Sequence, residues 1–310
     1  MPEGSRITAW NTGMEQLAPG VYAYVQAGGT WFINNAGLIV GDDYAIAVDT
    51  LTTRDMTESF IAEIAKVTDK PVRFIVNTHF HGDHTYTNHL FPGAMAICDA
   101  TTRRRIAEMS QADIDMVAAL YPQFDFSGSR VTPQDMAFSD GGELLLYQGD
   151  REVRLVSVGP AHSPSDVFVH LPRERVVFCG DLLFYRCTPF AMMGYIPGYI
   201  EALDRLASLN AASYVPGHGP VCGKEGLYEA RDYLVLVRDE ARKGFDSGKS
   251  WEEVAREIDL GKFWAWADPE RVAANVARAY SEFRGEEPAA QLDLAGVYAG
   301  MMEFAARRKS

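Results

Sequence analysis

Cysteine is scarce in this chain, and its few copies lie far apart. The 310 residues include only four cysteines, namely Cys98, Cys179, Cys187 and Cys222, and no two of them form a C-x-x-C pair. Disulfide-stapled secreted domains and thiolate zinc sites carry closely spaced cysteines. The sequence therefore predicts neither a disulfide framework nor a cysteine-based zinc site.

Long apolar runs and excess basic charge are also lacking. No stretch approaches the roughly 18 consecutive apolar residues of a membrane span, and Met1–Arg6 does not lead into the apolar segment of a secretory signal. Lys and Arg number 29 against 42 Asp and Glu, a net charge of −13 that repels a phosphate backbone. We expect a cytoplasmic protein that acts on a small molecule, without a nucleic-acid or membrane partner. Its oligomeric state stays open, with a homodimer among the alternatives.

The residues that are present favour a large folded core. Apolar residues make up 47% of the chain, which is ordinary for a globular protein. Short β-type runs predict an antiparallel meander: Val21–Val25, Trp31–Ile33, Gly37–Val40 and Ala45–Asp49. Apolar residues at three- and four-residue spacing predict a helix over 53–67, with Thr53 or Asp55 as its N-cap. A buried strand, Val72–Val76, follows this helix.

The second half of the chain repeats this order of strands and then a helix. Four strands are predicted at Leu144–Tyr147, Val153–Val158, Val167–Leu171 and Val176–Cys179, and a helix over 200–209 comes before Tyr214–Pro216. Two such units predict an α+β fold in which two β-rich layers face each other with helices outside. We expect a core over residues 1–225 and a helical extension over 226–310 packed on it. Trp264 and Trp266 in the extension either cap the site or dock the helices.

Five of the seven histidines fall where a predicted strand gives way to a loop. Three of them, with an aspartate, lie in the run His79-Phe80-His81-Gly82-Asp83-His84. In an extended segment, residues two apart lie on the same side, and Gly82 lets the chain turn inward. Imidazole and carboxylate ligands without a thiolate suit Zn²⁺, and they also suit iron or manganese. The run therefore predicts a metal site.

This run and three later segments resemble the metallo-β-lactamase superfamily. The similar segments are Thr78–Thr85, Gly159–Asp166, Phe178–Phe184 and Pro216–Pro220. The resemblance covers about residues 16–225. It implies a four-layer αβ/βα sandwich, here with a C-terminal helical extension, and an aspartate at position 181 is similar to the glyoxalase II-like branch. It also matches Asp49 to an aspartate that supports the site without binding metal.

The resemblance implies a dinuclear zinc site. One metal would be held by His79, His81 and His162, the other by Asp83, His84 and His218, and Asp181 would bridge them. Asp83 would also be catalytic, because it is placed to orient the nucleophile. The implied function is hydrolysis of a small ester, thioester, lactone or amide by attack of a metal-bound hydroxide.

Residues near these ligands are candidates for the substrate pocket. Aromatic and methionine side chains are concentrated between Phe184 and Tyr199, which is typical of a pocket wall or of core packing. We single out Tyr86, Tyr185, Met192 and Tyr195 as candidate substrate-binding residues. Relatives that use iron in a similar cluster leave a different reaction open, that of an iron-dependent oxidoreductase of the persulfide dioxygenase type. His89 and His170 are left out of the site.

Overall fold

The computed structural model describes residues 10–308, and its strands form two β-sheets. The first sheet has seven strands in chain order: β1 (Gly13–Ala18), β2 (Val21–Val25), β3 (Ala36–Val40), β4 (Ala45–Val48), β5 (Val72–Val76), β6 (Met95–Asp99) and β7 (Met136–Phe138). The second has five in the order β12-β11-β10-β9-β8: β8 (Glu143–Gln148), β9 (Arg151–Val158), β10 (Asp166–Leu171), β11 (Val176–Phe184) and β12 (Ser213–His218). Residues 1–9, on which part of the secretory-signal argument rests, lie outside the described residues.

Nine α-helices occur between residues 10 and 308, and the last four follow the second sheet in the chain. They are α1 (Arg54–Val67), α2 (Gly82–Thr85), α3 (Ala100–Glu108), α4 (Gln111–Leu120), α5 (Ile196–Ser208), α6 (Lys224–Asp246), α7 (Trp251–Glu257), α8 (Arg271–Phe283) and α9 (Leu294–Arg308). None of these described helices combines the length and the apolar content needed to cross a membrane.

The two sheets face each other across an apolar core. Ile39 and Val76 from the first sheet belong to the same buried cluster as Leu155 and Phe178 from the second. At Gly37, a Cβ would lie 2.3 Å from the Phe178 ring, so a side chain there would force the sheets apart. Helix α1 covers the outer face of the first sheet, and α5 with the C-terminal helices covers the second. The predicted four-layer α+β sandwich is confirmed.

Helix α1 shows how the local sequence determines an element. The Thr53 side chain accepts a hydrogen bond from the Met56 amide and caps the helix, as one of the two predicted caps would. Phe60 and Ile64, four residues apart, are buried against the first sheet. The predicted helix over 53–67 is thus confirmed to within one residue.

Three predictions about local structure need comment. The strand predicted at Trp31–Ile33 is wrong, because Phe32 has φ of +60° and the Ile33 amide bonds to the Thr30 carbonyl, which makes a turn. Strands β1, β6 and β7 were not predicted. Trp266 is buried against Tyr233 and the Trp264 ring stacks on Phe304, so these tryptophans dock the helices.

Parallel strand pairs determine where functional side chains can meet. Strands β4 and β5 run parallel in the first sheet, and β11 and β12 run parallel in the second. The carboxyl ends of parallel strands meet at one sheet edge and commonly carry binding sites. Both pairs end at the same side of the sandwich, where the histidines lie.

Candidate metal centre

Seven histidine and aspartate side chains from both sheets converge at this edge. They form two groups: His79, His81, His162 and Asp181 in the first, and Asp83, His84 and His218 in the second. In each group the donor atoms all lie within 4.8 Å of one another. All seven side chains are buried or nearly so. The structure therefore brings together all seven residues expected from the sequence, with Asp181 grouped with His79, His81 and His162.

Glycines allow these side chains to approach one another. At Gly217, which precedes His218 on β12, a Cβ would lie 1.8 Å from Oδ1 of Asp181. At Gly82, where α2 begins, a Cβ would lie 2.1 Å from the Tyr86 ring. Gly180 has φ of +52°, a left-handed conformation that costs glycine little. A larger residue at Gly217 or Gly82 would therefore collide with a side chain of the site.

Asp181 lies at the centre of the two groups. Its Oδ2 is 3.3 Å from Nε2 of His162 and 3.5 Å from Nε2 of His218, and its Oδ1 is 3.2 Å from Nε2 of His84. The Asp83 Oδ2 atom is 3.3 Å from Nε2 of His218. Asp181 thus contacts histidines of both groups, as a bridging carboxylate would.

The histidine nitrogens that face away from the centre are mostly held in place by hydrogen bonds. Nδ1 of His84 contacts Oδ2 of Asp49 at 2.9 Å, and Nδ1 of His162 donates to the Phe190 carbonyl at 2.6 Å. Asp49 also accepts the Thr78 amide and hydroxyl. Such outer partners fix the tautomer of a metal-binding histidine and leave the other nitrogen free for the metal.

The charges at the site favour a cation. Burial lowers the pKa of His162 to about 3, so this imidazole is neutral. Burial opposes ionisation of Asp83, but His84 and His218 lower its pKa to about 2. Burial also disfavours charged His218, yet Asp181 and Asp83 raise its pKa to about 9. A proton on His218 therefore balances the buried carboxylates, and bound metal ions would replace that proton.

A pocket of about 220 Å³ opens above the two groups. Its floor includes His81, Asp83 and His218. Its walls are mainly apolar and come from several parts of the chain: Trp31, Phe32, Phe80, Tyr86, Met109, Met116, Val117, Tyr121, Phe184, Phe190, Met192 and Met193. A largely apolar wall over a polar floor is typical of small-molecule sites.

The candidate substrate-binding residues divide into two pairs. Tyr86 and Met192 line the pocket, whereas Tyr185 and Tyr195 are not among its lining residues. The Tyr185 ring lies beneath the Arg186 guanidinium, and Tyr195 precedes α5, where its amide bonds to the Ala161 carbonyl. Only the first pair is placed to contact a molecule in the pocket.

Two pocket residues from the C-terminal helices were missed by sequence reasoning. Arg271 of α8 is 2% exposed, and its guanidinium lies 4.3 Å from the centre of the Trp31 ring. Its Nε has no hydrogen-bond partner among the described residues. Tyr298 of α9 lines the pocket, as does Tyr121. No local motif marks these residues, because they reach the site only through the packing of distant helices.

Comparisons with known proteins agree with this geometry. The sequence model of the metallo-beta-lactamase superfamily matches residues 29–218. The linear primary-alkylsulfatase of Pseudomonas sp. (strain ATCC 19151) is 23% identical over 266 residues, covering 72% of this chain and 49% of the relative. A hydroxyacylglutathione hydrolase of Francisella tularensis subsp. holarctica is 26% identical over 162 residues, covering 50% of this chain and 51% of the relative. The chain thus spans about half the length of these curated relatives.

Solved structures show the same fold. The inverting sec-alkylsulfatase Pisa1 from Pseudomonas sp. superposes with a TM-score of 0.70 at 17% identity, covering 88% of this chain and 50% of the other. A metallo-beta-lactamase family protein from Thermus thermophilus gives a TM-score of 0.64 at 19% identity, covering 88% of this chain and 98% of the other. Both alignments extend well beyond the matched residues 29–218.

Proposed function

The chain belongs to the metallo-β-lactamase superfamily, and from this premise we propose that it is a hydrolase dependent on two divalent metal ions, in the first place Zn²⁺. The observation that carries the proposal is the convergence of seven histidine and aspartate donors, five of which line an apolar pocket. The substrate is a small ester, thioester, lactone or amide.

The residues present fit a pair of metal ions. The donor set contains five imidazoles and two carboxylates, which are ligands typical of zinc. Nε2 of His84 and Oδ1 of Asp181 lie 3.2 Å apart, and neither makes a hydrogen bond of good geometry among the described residues. When bound, the metal ions would supply a water deprotonated near neutral pH and would polarise the bond to be cleaved.

Asp83 and Tyr86 are the residues that we assign to the reaction itself. Asp83 lies on the pocket floor beside His218, where it orients the attacking water by accepting its hydrogen bond. Burial raises the pKa of Tyr86 above its usual range, so its hydroxyl stays protonated and can donate to negative charge that develops on the substrate. In the overall reaction, the hydroxyl of water joins the acyl carbon and its proton leaves with the departing group.

The pocket restricts the substrate in size and polarity. Its volume of about 220 Å³ lies below the roughly 300–1,000 Å³ of sites for drug-sized ligands. Its walls offer mostly aromatic and methionine side chains. We therefore expect a compact substrate whose apolar group packs against Trp31 and Phe190, whose rings contact each other edge to face.

A second candidate substrate is an alkyl sulfate ester. Alkylsulfatases occur among both the sequence relatives and the structural neighbours. The Arg271 guanidinium at the pocket wall supplies a positive charge for a sulfate group. Because Asp268 already pairs with this guanidinium, we rank sulfate esters second.

Metal content and turnover measured on the same preparation test the proposal. Protein purified without added metal is analysed by elemental mass spectrometry and is assayed with a nitrophenyl ester, a thioester, a lactone and an alkyl sulfate. We expect close to two zinc ions per chain and hydrolysis that a chelator abolishes and zinc restores. His84→Ala should lose both, whereas His170→Ala, on β10 away from the site, should lose neither. One iron per chain with oxygen consumption in the presence of a persulfide would instead favour the iron-dependent oxidoreductase.

A further inference from the structure

The segment between β11 and α5, residues 185–195, connects the pocket to a metal ligand. It is buried over most of its length but has almost no regular secondary structure, so its backbone polar groups need partners elsewhere. Phe190 and Met192 of this segment line the pocket. The Phe190 carbonyl accepts the hydrogen bond from Nδ1 of His162. The conformation of this segment therefore bears on both the pocket wall and the orientation of His162.

Helix α8 presents a row of polar side chains to this segment. The row consists of residues at successive spacings of four, three and four, which places them on one face of the helix: Arg271, Asn275, Arg278 and Glu282. Each one hydrogen-bonds to a backbone atom of residues 188–196. Their order along the helix is the order of their partners along the segment.

The individual bonds follow that order. Arg271 Nη1 donates to the Thr188 carbonyl at 3.0 Å. Arg278 Nε donates to the Met192 carbonyl at 3.1 Å, and Oε1 of Glu282 accepts the Ile196 amide at 2.8 Å. The row thus bonds to the backbone from Thr188 to Ile196.

Asn275 occupies the middle of the row and touches both sides of Phe190. Its Nδ2 donates to the Pro189 carbonyl at 2.8 Å, and its Oδ1 accepts the Ala191 amide at 2.8 Å. The same Nδ2 contacts the Tyr233 hydroxyl at 3.0 Å. Asn275 is fully buried. One side chain therefore fixes the two peptide groups on either side of the residue whose carbonyl holds His162.

The packing of helix α8 on the core does not by itself explain this row of polar side chains. Helix α8 already buries Val272, Val276 and Ala279 in the apolar core around the C-terminal helices. Buried polar groups are costly unless they are fully bonded, and apolar residues would dock the helix without that requirement. The row is instead directed at one irregular segment, which is the segment that lines the pocket.

We propose that Asn275 is a positioning residue for the metal centre: it holds residues 189–191 so that the Phe190 carbonyl keeps His162 turned towards the other ligands, and it thereby sets the pocket wall formed by Phe190 and Met192. The inference rests on the proposed metal-dependent function and extends it to the C-terminal helices. These helices then determine both metal affinity and the width of the apolar group that the pocket accepts.

The test compares Asn275→Ala with Val276→Ala, a neighbouring buried apolar truncation on the same helix. In metal-free protein, amide hydrogen exchange at Ala191 should accelerate at least tenfold in Asn275→Ala and stay near the wild-type rate in Val276→Ala. Zinc affinity, measured by competition with a chromophoric chelator, should fall about 10–100-fold in Asn275→Ala, as when other outer partners of ligands are removed. Asn275→Asp keeps the acceptor for Ala191 and loses the donor to Pro189, so its zinc affinity should fall by an intermediate factor.

Equal exchange rates and equal zinc affinities in Asn275→Ala and Val276→Ala would overturn the proposal. If Asn275→Ala does not fold, the zinc affinity of Asn275→Asp decides, because the Ala191 amide keeps its acceptor in that variant. Amide exchange and zinc affinity are both measured without turnover. A protein that hydrolyses no tested substrate can therefore still show the loss of positioning. In that case the hydrolase function fails and the positioning role remains. In an active protein, kcat and KM are measured separately for substrates whose acyl groups increase in width. Their dependence on that width should change in Asn275→Asp and not in Val276→Ala.

Discussion

Replacing Asp49 with asparagine changes one oxygen of the site to an amide nitrogen and leaves its shape intact. Asp49 is buried at the end of β4, has φ of +59° and accepts hydrogen bonds from the Thr78 amide and hydroxyl. Asparagine tolerates this left-handed backbone, so the substitution adds no conformational strain. Any effect therefore comes from the changed hydrogen bonds.

The oxygen that becomes nitrogen is Oδ2, which accepts the Thr78 hydroxyl and contacts His84. The contact with His84 is the one that bears on the metal. Oδ2 of Asp49 lies 2.9 Å from Nδ1 of His84 and fixes the proton on that nitrogen, which leaves Nε2 free for a metal. If the asparagine keeps its oxygen towards the Thr78 amide, its NH₂ group faces Nδ1. His84 must then carry its proton on Nε2, the nitrogen that faces Asp181 and the centre. Outer partners of this kind change metal affinity by about 10–100-fold, or about 1.4–2.7 kcal/mol.

Competition with a chromophoric chelator measures this loss directly. Asp43→Asn, an exposed aspartate in the turn before β4, is the control and should bind zinc as the wild type does. We expect the Asp49→Asn protein to melt within a few degrees of the wild type when both are metal-free, and to bind its second zinc at least tenfold more weakly. Two zinc ions bound with wild-type affinity would refute the assignment of Asp49 as the residue that orients His84.

Three further substitutions test other parts of the structure. Asp83→Ala should lower kcat about 10²–10⁴-fold in an assay with added zinc, with a near-native circular dichroism spectrum; turnover near the wild-type rate would exclude the assigned role. Gly217→Ala should displace Asp181, because the new Cβ would lie 1.8 Å from Oδ1, and should cost about 1–3 kcal/mol in denaturant unfolding. Gly13→Ala, where no atom lies within 4 Å, should cost little. Burial raises the pKa of Glu282 to about 7 from 4.5, so the stability linked to its protonated form is complete below pH 4.5 and is lost as the pH rises through 7. Glu282→Gln should therefore gain about 1–2 kcal/mol over the wild type at pH 8 and nothing at pH 4; an equal difference at both values would contradict the buried carboxylate.

Much of the fold could be predicted because its signals are local. The apolar spacing around Phe60 and the cap at Thr53 lie within one segment, and both predicted α1. The strand predicted at Trp31–Ile33 was wrong for the same reason, because three consecutive apolar residues favour a strand by composition alone. The left-handed conformation of Phe32 and its ring contacts with Tyr121 and Phe126 come from tertiary packing, which a short window of sequence does not contain.

The donors of the candidate site could be selected from sequence because four of them share one short run. His162 and His218 gained weight only from their neighbouring motif residues, and the identity of what they bind stays a prediction. Arg271 and Asn275 could not be found in this way. They act on residues more than 80 positions away, at Thr188 and Ala191, and nothing in the local sequence of α8 indicates which backbone lies opposite.

The donors are divided between the two sheets, and this division has a mechanical consequence. His84, in the helix that follows a strand of the first sheet, and His218, which ends a strand of the second, belong to the same group and lie 134 positions apart. Metal ions held between them would act as a cross-link that closes a loop of that length. In the chain-entropy view, a link across about 100 residues or more destabilises the unfolded chain by about 5 kcal/mol. A chain cut in the turn between Phe138 and Glu143 should therefore remain associated through the metal centre and come apart more readily once a chelator is added.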